Sequence, residues 1–435
     1  MNRGNPVPFL PLLLAAILFP ACEALPEPDP ASLPSRVLEP PSAAWRDKVD
    51  QGRSIARSLV ADERLPGLSL AVAVDGKLVW AEGFGYADLE TRVEVTPATL
   101  FRIGGVSNSL TAAAVGLLSE RSNLDLDAPV QRYLPGFPEK EWPVSTRQLM
   151  ASTAGMRHYS GEDERFRNES CASEAERLAI FANDPLRFRP GTDSVYSAYG
   201  WVMVGAVIAA AANEPYLDFL QREILTPSGM ASTVPDIAGQ SVPGGAHFYY
   251  PSFMLDPRYG LQDAPGADLS CILPAGGFLS TPSDLARFGS AMMGGALLDP
   301  ATVRELQTPV RLASGEPTDQ ALGWAVQSVM MGADGTPTRV VGQGLGAAVR
   351  RGFLGATTLG GHVSGSTASL VTIPERRIAI AVTTNVSGSE NTSLLAARLA
   401  DVFVRGRQGR GEGNSGDDRA ELEAAGGSHG EQDRD

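Results

Sequence analysis

Residues 67–90, GLSLAVAVDGKLVWAEGFGYADLE, decide the fold of this 435-residue chain. Leu68–Val74 (LSLAVAV) is apolar and rich in strand-forming residues. Asp75-Gly76 is a two-residue hairpin signal, and Leu78–Gly83 (LVWAEG) returns as a second strand. Upstream, Trp45, Val49, Ile55 and Leu59 recur at helical spacing, which predicts a helix over Trp45–Asp62. Downstream, Ala368–Ile373 (ASLVTI) and Ile378–Thr384 (IAIAVTT) read as paired strands around Pro374-Glu375, and Thr392–Val404 reads as a closing helix. Between the two ends, Leu110–Leu118 is helical, and a further helix starts near Ser197 and runs through WVMVGAVIAAA. Strands at both chain ends with helices between them imply an α/β (α+β) fold. The expected architecture is an antiparallel sheet built from both chain ends, flanked by helices, with an inserted mainly helical subdomain.

The termini lie outside this unit. Residues 1–24 read as a secretory signal: one early charge, Arg3, then an apolar run from Val7 to Phe19, too short for a bilayer, which takes about 20 residues. Cleavage near Ala24 gives a soluble exported protein, periplasmic or extracellular. Cleavage before Cys22 would leave a cysteine open to lipid anchoring, the one membrane link expected. Residues 25–43 are a proline-rich linker without core potential, 44–405 the folded domain, and 406–435 a Gly-rich acidic tail expected to be disordered. The domain exceeds the about 250–300 residues that one core serves, so two subdomains sharing an interface are expected.

Composition narrows the chemistry. The net charge is −14 with no basic cluster, which argues against nucleic acid as a partner. Three Cys and four His, in no C-x-x-C, H-x-H or H-E-x-x-H pattern, leave metal sites and cysteine catalysis unsupported. No metal and no cofactor are expected. Ser, Tyr, Lys and carboxylates remain. Cys171 and Cys271 could pair in an oxidising compartment, although nothing in the sequence brings them together.

Four blocks carry a resemblance. They are the opening run continued by VTPATLFRIG, then LDLDAPVQRYLPGFPEKEWPVSTRQLMASTAGMRHY (124–159), FRPGTDSVYSAYGWVMVG (188–205) and PAGGFLSTPSDLARFGSAM (274–292). In order and spacing they resemble the β-lactamase-related serine hydrolases, which include class C β-lactamases, penicillin-binding D-Ala-D-Ala peptidases and LACTB-type proteins; the second block is particularly LACTB-like. The resemblance implies a Ser nucleophile at a helix start, a Lys one turn on, a Tyr acting with that Lys, and a Lys/His-x-Gly strand beside the site.

Those positions are altered here. The family run F-R-I-G-S-x-S-K-S-L-T-A appears as Phe101-Arg102-Ile103-Gly104-Gly105-Val106-Ser107-Asn108-Ser109-Leu110-Thr111-Ala112. Gly105 stands at the nucleophile position and Asn108 at the lysine position. Glycine has no side chain to acylate, and asparagine takes no proton at neutral pH. Tyr196 matches the family tyrosine; it is open between a ligand contact and a loop tyrosine bonded to local backbone. The third motif has two frames, His362-Val363-Ser364 before Gly365, which is favoured, or Leu359-Gly360-Gly361. His362 is either a ligand contact or a polar strand-edge residue. His158, in Arg157-His158-Tyr159, reads as structural or cleft-lining. Ser107 and Ser109 read as helix-start or packing residues, since no Lys follows either at three residues.

The expected function is an exported β-lactamase-related protein, a pseudoenzyme that keeps the ligand cleft. Its partners would be a peptidoglycan-like peptide, another acyl or amide ligand, or a protein. Two alternatives stand: an active hydrolase (esterase, D-Ala-D-Ala peptidase or β-lactamase-like) with a non-standard nucleophile, and a structural or assembly protein of the cell envelope. The candidate ligand-binding residues are His362, Ser364, Gly361, Gly360 and His158.

Overall fold

A computed structural model of the chain describes residues 29–159, 163, 170–240, 242–253, 256–318, 320–332, 335–343, 364–388 and 391–408. The principal sheet contains β1 (Ser35–Val37), β2 (Gly67–Val74), β3 (Lys77–Asp88), β4 (Ala325–Met331), β5 (Thr336–Gln343), β6 (Thr367–Ile373) and β7 (Ile378–Thr384). Their order is β1-β3-β2-β7-β6-β5-β4, every neighbour antiparallel, with a two-residue strand at Val93–Glu94 also on β3. The two chain ends therefore meet at β2 and β7, where Leu70 faces Val382. Asp75 and Gly76 turn β2 into β3 with φ of 50° and 82°, the left-handed pair that a two-residue hairpin needs.

Alternation along β2 explains why both faces of the sheet are covered. Leu68, Leu70, Val72 and Val74 enter one core, with Val49, Ala56 and Leu59 of α1 (Arg46–Asp62) and Leu395, Leu399 and Phe403 of α5 (Asn391–Gln408). Ala71 and Ala73 point the other way, with Ala81 and Ala379, onto Ala286 of α4 (Pro282–Gly294). These small side chains let α4 sit close. A Cβ on Gly289 would lie 3.0 Å from Thr372 Cγ2 and 3.1 Å from the Ala379 Cβ.

The helical part is centred on α2 (Ser107–Glu120) and α3 (Ala198–Ala212). In α3 every residue from Ala198 to Ile208 is buried, as its all-round apolar sequence requires. Its core joins the sheet through Val341, Ala368, Leu370 and Ala381, so the subdomains share one interface.

The span 25–43, expected as a linker, departs from that expectation. Pro30–Ser32 forms a 3-10 turn and β1 adds an edge to the sheet. Arg57 of α1 holds this segment, donating to the Pro30 carbonyl at 3.0 Å, the Leu33 carbonyl at 2.8 Å and Ser35 Oγ at 2.7 Å. Proline richness did not prevent docking, because the docking bonds use carbonyls and one hydroxyl. The domain thus begins before residue 44, and α5 runs to Gln408, past the expected boundary at 405. The expected signal at 1–24 and most of the tail lie outside the described residues, within which no helix is long and apolar enough to cross a membrane.

Cys171 and Cys271 are joined by a disulfide, with Cα atoms 4.9 Å apart. Around it, the Cys171 amide donates to Ser270 Oγ at 2.8 Å and Arg177 Nε to the Ser270 carbonyl at 2.7 Å. This brace leads directly into the short helix Leu273–Gly276.

Candidate active site

The site begins where the short strand Phe101–Arg102 becomes α2. Gly104–Val106 makes one 3-10 turn, in which Gly104 carries the positive φ of 46°, a conformation natural to glycine. Gly105 follows, half-buried. Leu273–Gly276 closes in behind: a Cβ on Gly276 would lie 3.5 Å from Gly104 Cα. Ser107 then opens α2. Its side chain is fully buried and its Oγ has no partner among the described residues. Ser109 Oγ donates to the Gly323 carbonyl at 3.0 Å, which makes it a packing residue as expected.

Asn108 lies one helical turn after Gly105. Its Nδ2 donates to Tyr196 Oη at 3.3 Å, while its Oδ1 is buried and has no partner among the described residues. Tyr196 reaches this point from the residue before the N-cap of α3. There Ser197 Oγ accepts from the Gly200 amide at 3.0 Å and donates to the Arg157 carbonyl at 2.6 Å. Burial pushes the Tyr196 phenol well above its ordinary value, against a weaker downward pull from the Asn108 hydrogen bond. A raised pKa favours the protonated phenol, which can donate a hydrogen bond.

His158 Nδ1 accepts from the Ala198 amide at 3.2 Å, and its ring lies 3.8 Å from that of Tyr159 and 5.5 Å from that of Tyr196. It thus caps α3 and stands beside Tyr196. Its neighbour Arg157 is engaged by Asp163 and Asp184, and stacks at 4.9 Å over Tyr199.

Of the third motif, Gly360, Gly361 and His362 lie outside the described residues, and Ser364 within them. Ser364 Oγ is 3.1 Å from Tyr250 Oη, and its carbonyl accepts from Arg102 Nη1 at 2.7 Å. Arg102 is itself buried, with Nε 2.6 Å from Asp236 Oδ2 and its guanidinium 4.3 Å over the Phe248 ring. Burial raises the Asp236 pKa, opposed by the Arg102 charge. The strand that leads into the Gly104–Val106 turn is thus fastened to Ser364 of the third motif. Sequence reasoning missed Arg102, Asp236 and Tyr250. An arginine in an apolar run, three residues before Gly105, was the available signal. Among the described residues, no group of three His, Cys, Asp or Glu is placed to hold a metal ion.

A beta-lactamase family model matches residues 53–403 of the chain. The chain belongs to the beta-lactamase family. It is 30% identical over 330 residues to the human mitochondrial serine beta-lactamase-like protein LACTB, covering 60% of this chain and 59% of that protein. It is 28% identical over 271 residues to penicillin-binding protein 4* of Bacillus subtilis, covering 60% and 59%. The chain thus spans less than two thirds of the length of these curated relatives. Among solved structures, a class C beta-lactamase superposes with a TM-score of 0.65 at 19% identity, covering 86% of this chain and 99% of that one. A D-amino acid amidase from Ochrobactrum anthropi, complexed with L-phenylalanine, gives 0.66 at 22%, covering 83% and 99%. These structural likenesses establish the fold of this family member.

Proposed function

We propose that this beta-lactamase family member binds ligands in the family cleft without acylating. The observation that carries the reading is the Gly105–Asn108 pair. No hydroxyl or amine stands at either position, and Tyr196 meets an amide in place of a base. Loss of a catalytic nucleophile costs on the order of 10⁶ in turnover, which leaves binding as the function that survives. The ligand class is a peptidoglycan-like peptide or another acyl or amide compound. The deciding experiment is labelling of the native protein by a fluorescent penicillin and a fluorophosphonate. The expected result is no covalent band. A band abolished by one Ser→Ala substitution would overturn the proposal.

Export is part of the same reading. The Cys171–Cys271 disulfide supports an oxidising compartment. Fractionation of cells expressing the full chain tests it: the protein is expected outside the cytoplasm, soluble or held by a lipid on Cys22.

A further inference from the structure

Beside Gly105, one acceptor and one donor proton have no partner among the described residues. Asn108 is 3% exposed and its Oδ1 lacks a partner. Its Nδ2 donates to Tyr196 Oη, so that oxygen acts as an acceptor and its own proton remains to be given. Among the described residues nothing accepts that proton. A helical Cβ leans toward the helix N-terminus, which directs Asn108 at the volume a side chain on residue 105 would fill. The groups beside the phenol are the Asn108 amide and the Tyr159 and His158 rings. The nearby cation Arg157 is held by two aspartates.

We propose that the Asn108–Tyr196 couple is a noncovalent recognition site for an uncharged carboxamide. Tyr196 donates to the ligand carbonyl oxygen, and Asn108 Oδ1 accepts from the ligand N–H. Counting donors and acceptors selects this class. An ammonium would answer Oδ1 and leave the Tyr196 proton unused. A carboxylate would take that proton but set its second oxygen against Oδ1, while its charge would be desolvated in the interior. Oδ1 is sealed from water, so a ligand reaches it by shifting the half-buried Tyr196 ring. The proposal rests on the non-acylating reading of the same cleft and adds the ligand's charge and hydrogen-bonding pattern.

Benzamide and benzoate form a matched pair for the test, differing in the group that meets the couple. Titrated into the full chain and followed by NMR, benzamide is expected to bind at least about ten-fold more tightly than benzoate, the worth of one or two buried hydrogen bonds. Tyr196→Phe is expected to weaken benzamide about ten-fold. Asn108→Leu is expected to weaken it similarly while the melting temperature holds or rises, which a merely structural asparagine would not allow. Benzoate binding as tightly as benzamide, no binding of benzamide, or an unchanged affinity in Tyr196→Phe would each overturn the proposal. Failure of the non-acylating reading has a separate signature, covalent penicillin labelling of the native chain, whatever the benzamide result.

Discussion

Two helices of this molecule start inside the core, and they treat buried polarity in opposite ways. At the start of α4, Thr281 Oγ1 accepts from the Asp284 amide at 3.1 Å. Asp284, 1% exposed, accepts from the Ser232 amide at 2.8 Å, Thr233 Oγ1 at 3.1 Å and Arg287 Nη1 at 2.8 Å. At the start of α2, Val106 occupies the cap position with no side chain to offer, and Ser107 Oγ and Asn108 Oδ1 go unanswered. Buried polar groups in native proteins are nearly always paired, and exceptions concentrate where function competes with stability. The α4 end is built to hold the fold together, whereas the α2 end leaves two buried polar atoms unpaired among the described residues.

The largest effect should come from refilling the α2 end. In Gly105→Ser/Asn108→Lys the hydroxyl and amine return one helical turn apart, beside Tyr196. Labelling by fluorescent penicillin is expected to go from absent to a clear band. Silence in a folded double variant would mean that the comparison rests on more than these two residues.

The next effect concerns the wall behind that end, where the Cys171–Cys271 disulfide runs into Leu273–Gly276. The bonded residues are 100 apart in sequence. In the chain-entropy account, opening a loop of that size costs about 4–5 kcal/mol. Cys171→Ser/Cys271→Ser should therefore lower denaturant stability by several kcal/mol, and loss of protection at Gly104–Asn108 in hydrogen exchange should accompany it.

At the α4 end, Asp284→Ala strands an amide, a hydroxyl and a guanidinium at once, and is expected to cost about 3 kcal/mol. Burial raises the Asp284 pKa despite its three donors. For a carboxyl raised on folding, the linked stability is full below the unfolded value of about 3.9 and is lost as pH rises through the folded value. Asp284→Asn should flatten that part of the stability–pH curve, measured by urea unfolding from pH 3 to 7.

Legibility in the sequence followed the physics of each part. The sheet could be read because its code is local: alternating Leu and Ala along β2, an Asp-Gly turn, and a matching pair of strands near the other end. The all-apolar α3 was equally plain. The docked segment Pro30–Val37 was not, since Arg57 grips carbonyls that every sequence supplies. Cys171–Cys271 and Arg102–Asp236 join residues 100 and 134 apart, and no spacing rule reaches that far. The Gly105, Asn108 and Tyr196 positions were found through resemblance. The structure added what resemblance could not supply, the Asn108–Tyr196 hydrogen bond and an Oδ1 without a partner among the described residues.

The smallest effect is also the sharpest test of the comparison, because its sign differs between the two ends. Ser107→Ala removes a buried hydroxyl that has no partner and places the best helix former in the first turn of α2. Removing an unanswered polar group from the interior is favourable, so stability is expected to stay level or rise by up to about 1 kcal/mol. Thr281→Ala removes a hydroxyl of similar size at the equivalent end of α4, but this one caps its helix, and the expected loss is about 1 kcal/mol. Urea unfolding of both variants at one pH gives the two signs directly. A loss in Ser107→Ala as large as in Thr281→Ala would mean that the α2 hydroxyl is bonded in solution, and the contrast between the two helix starts would fail at that residue.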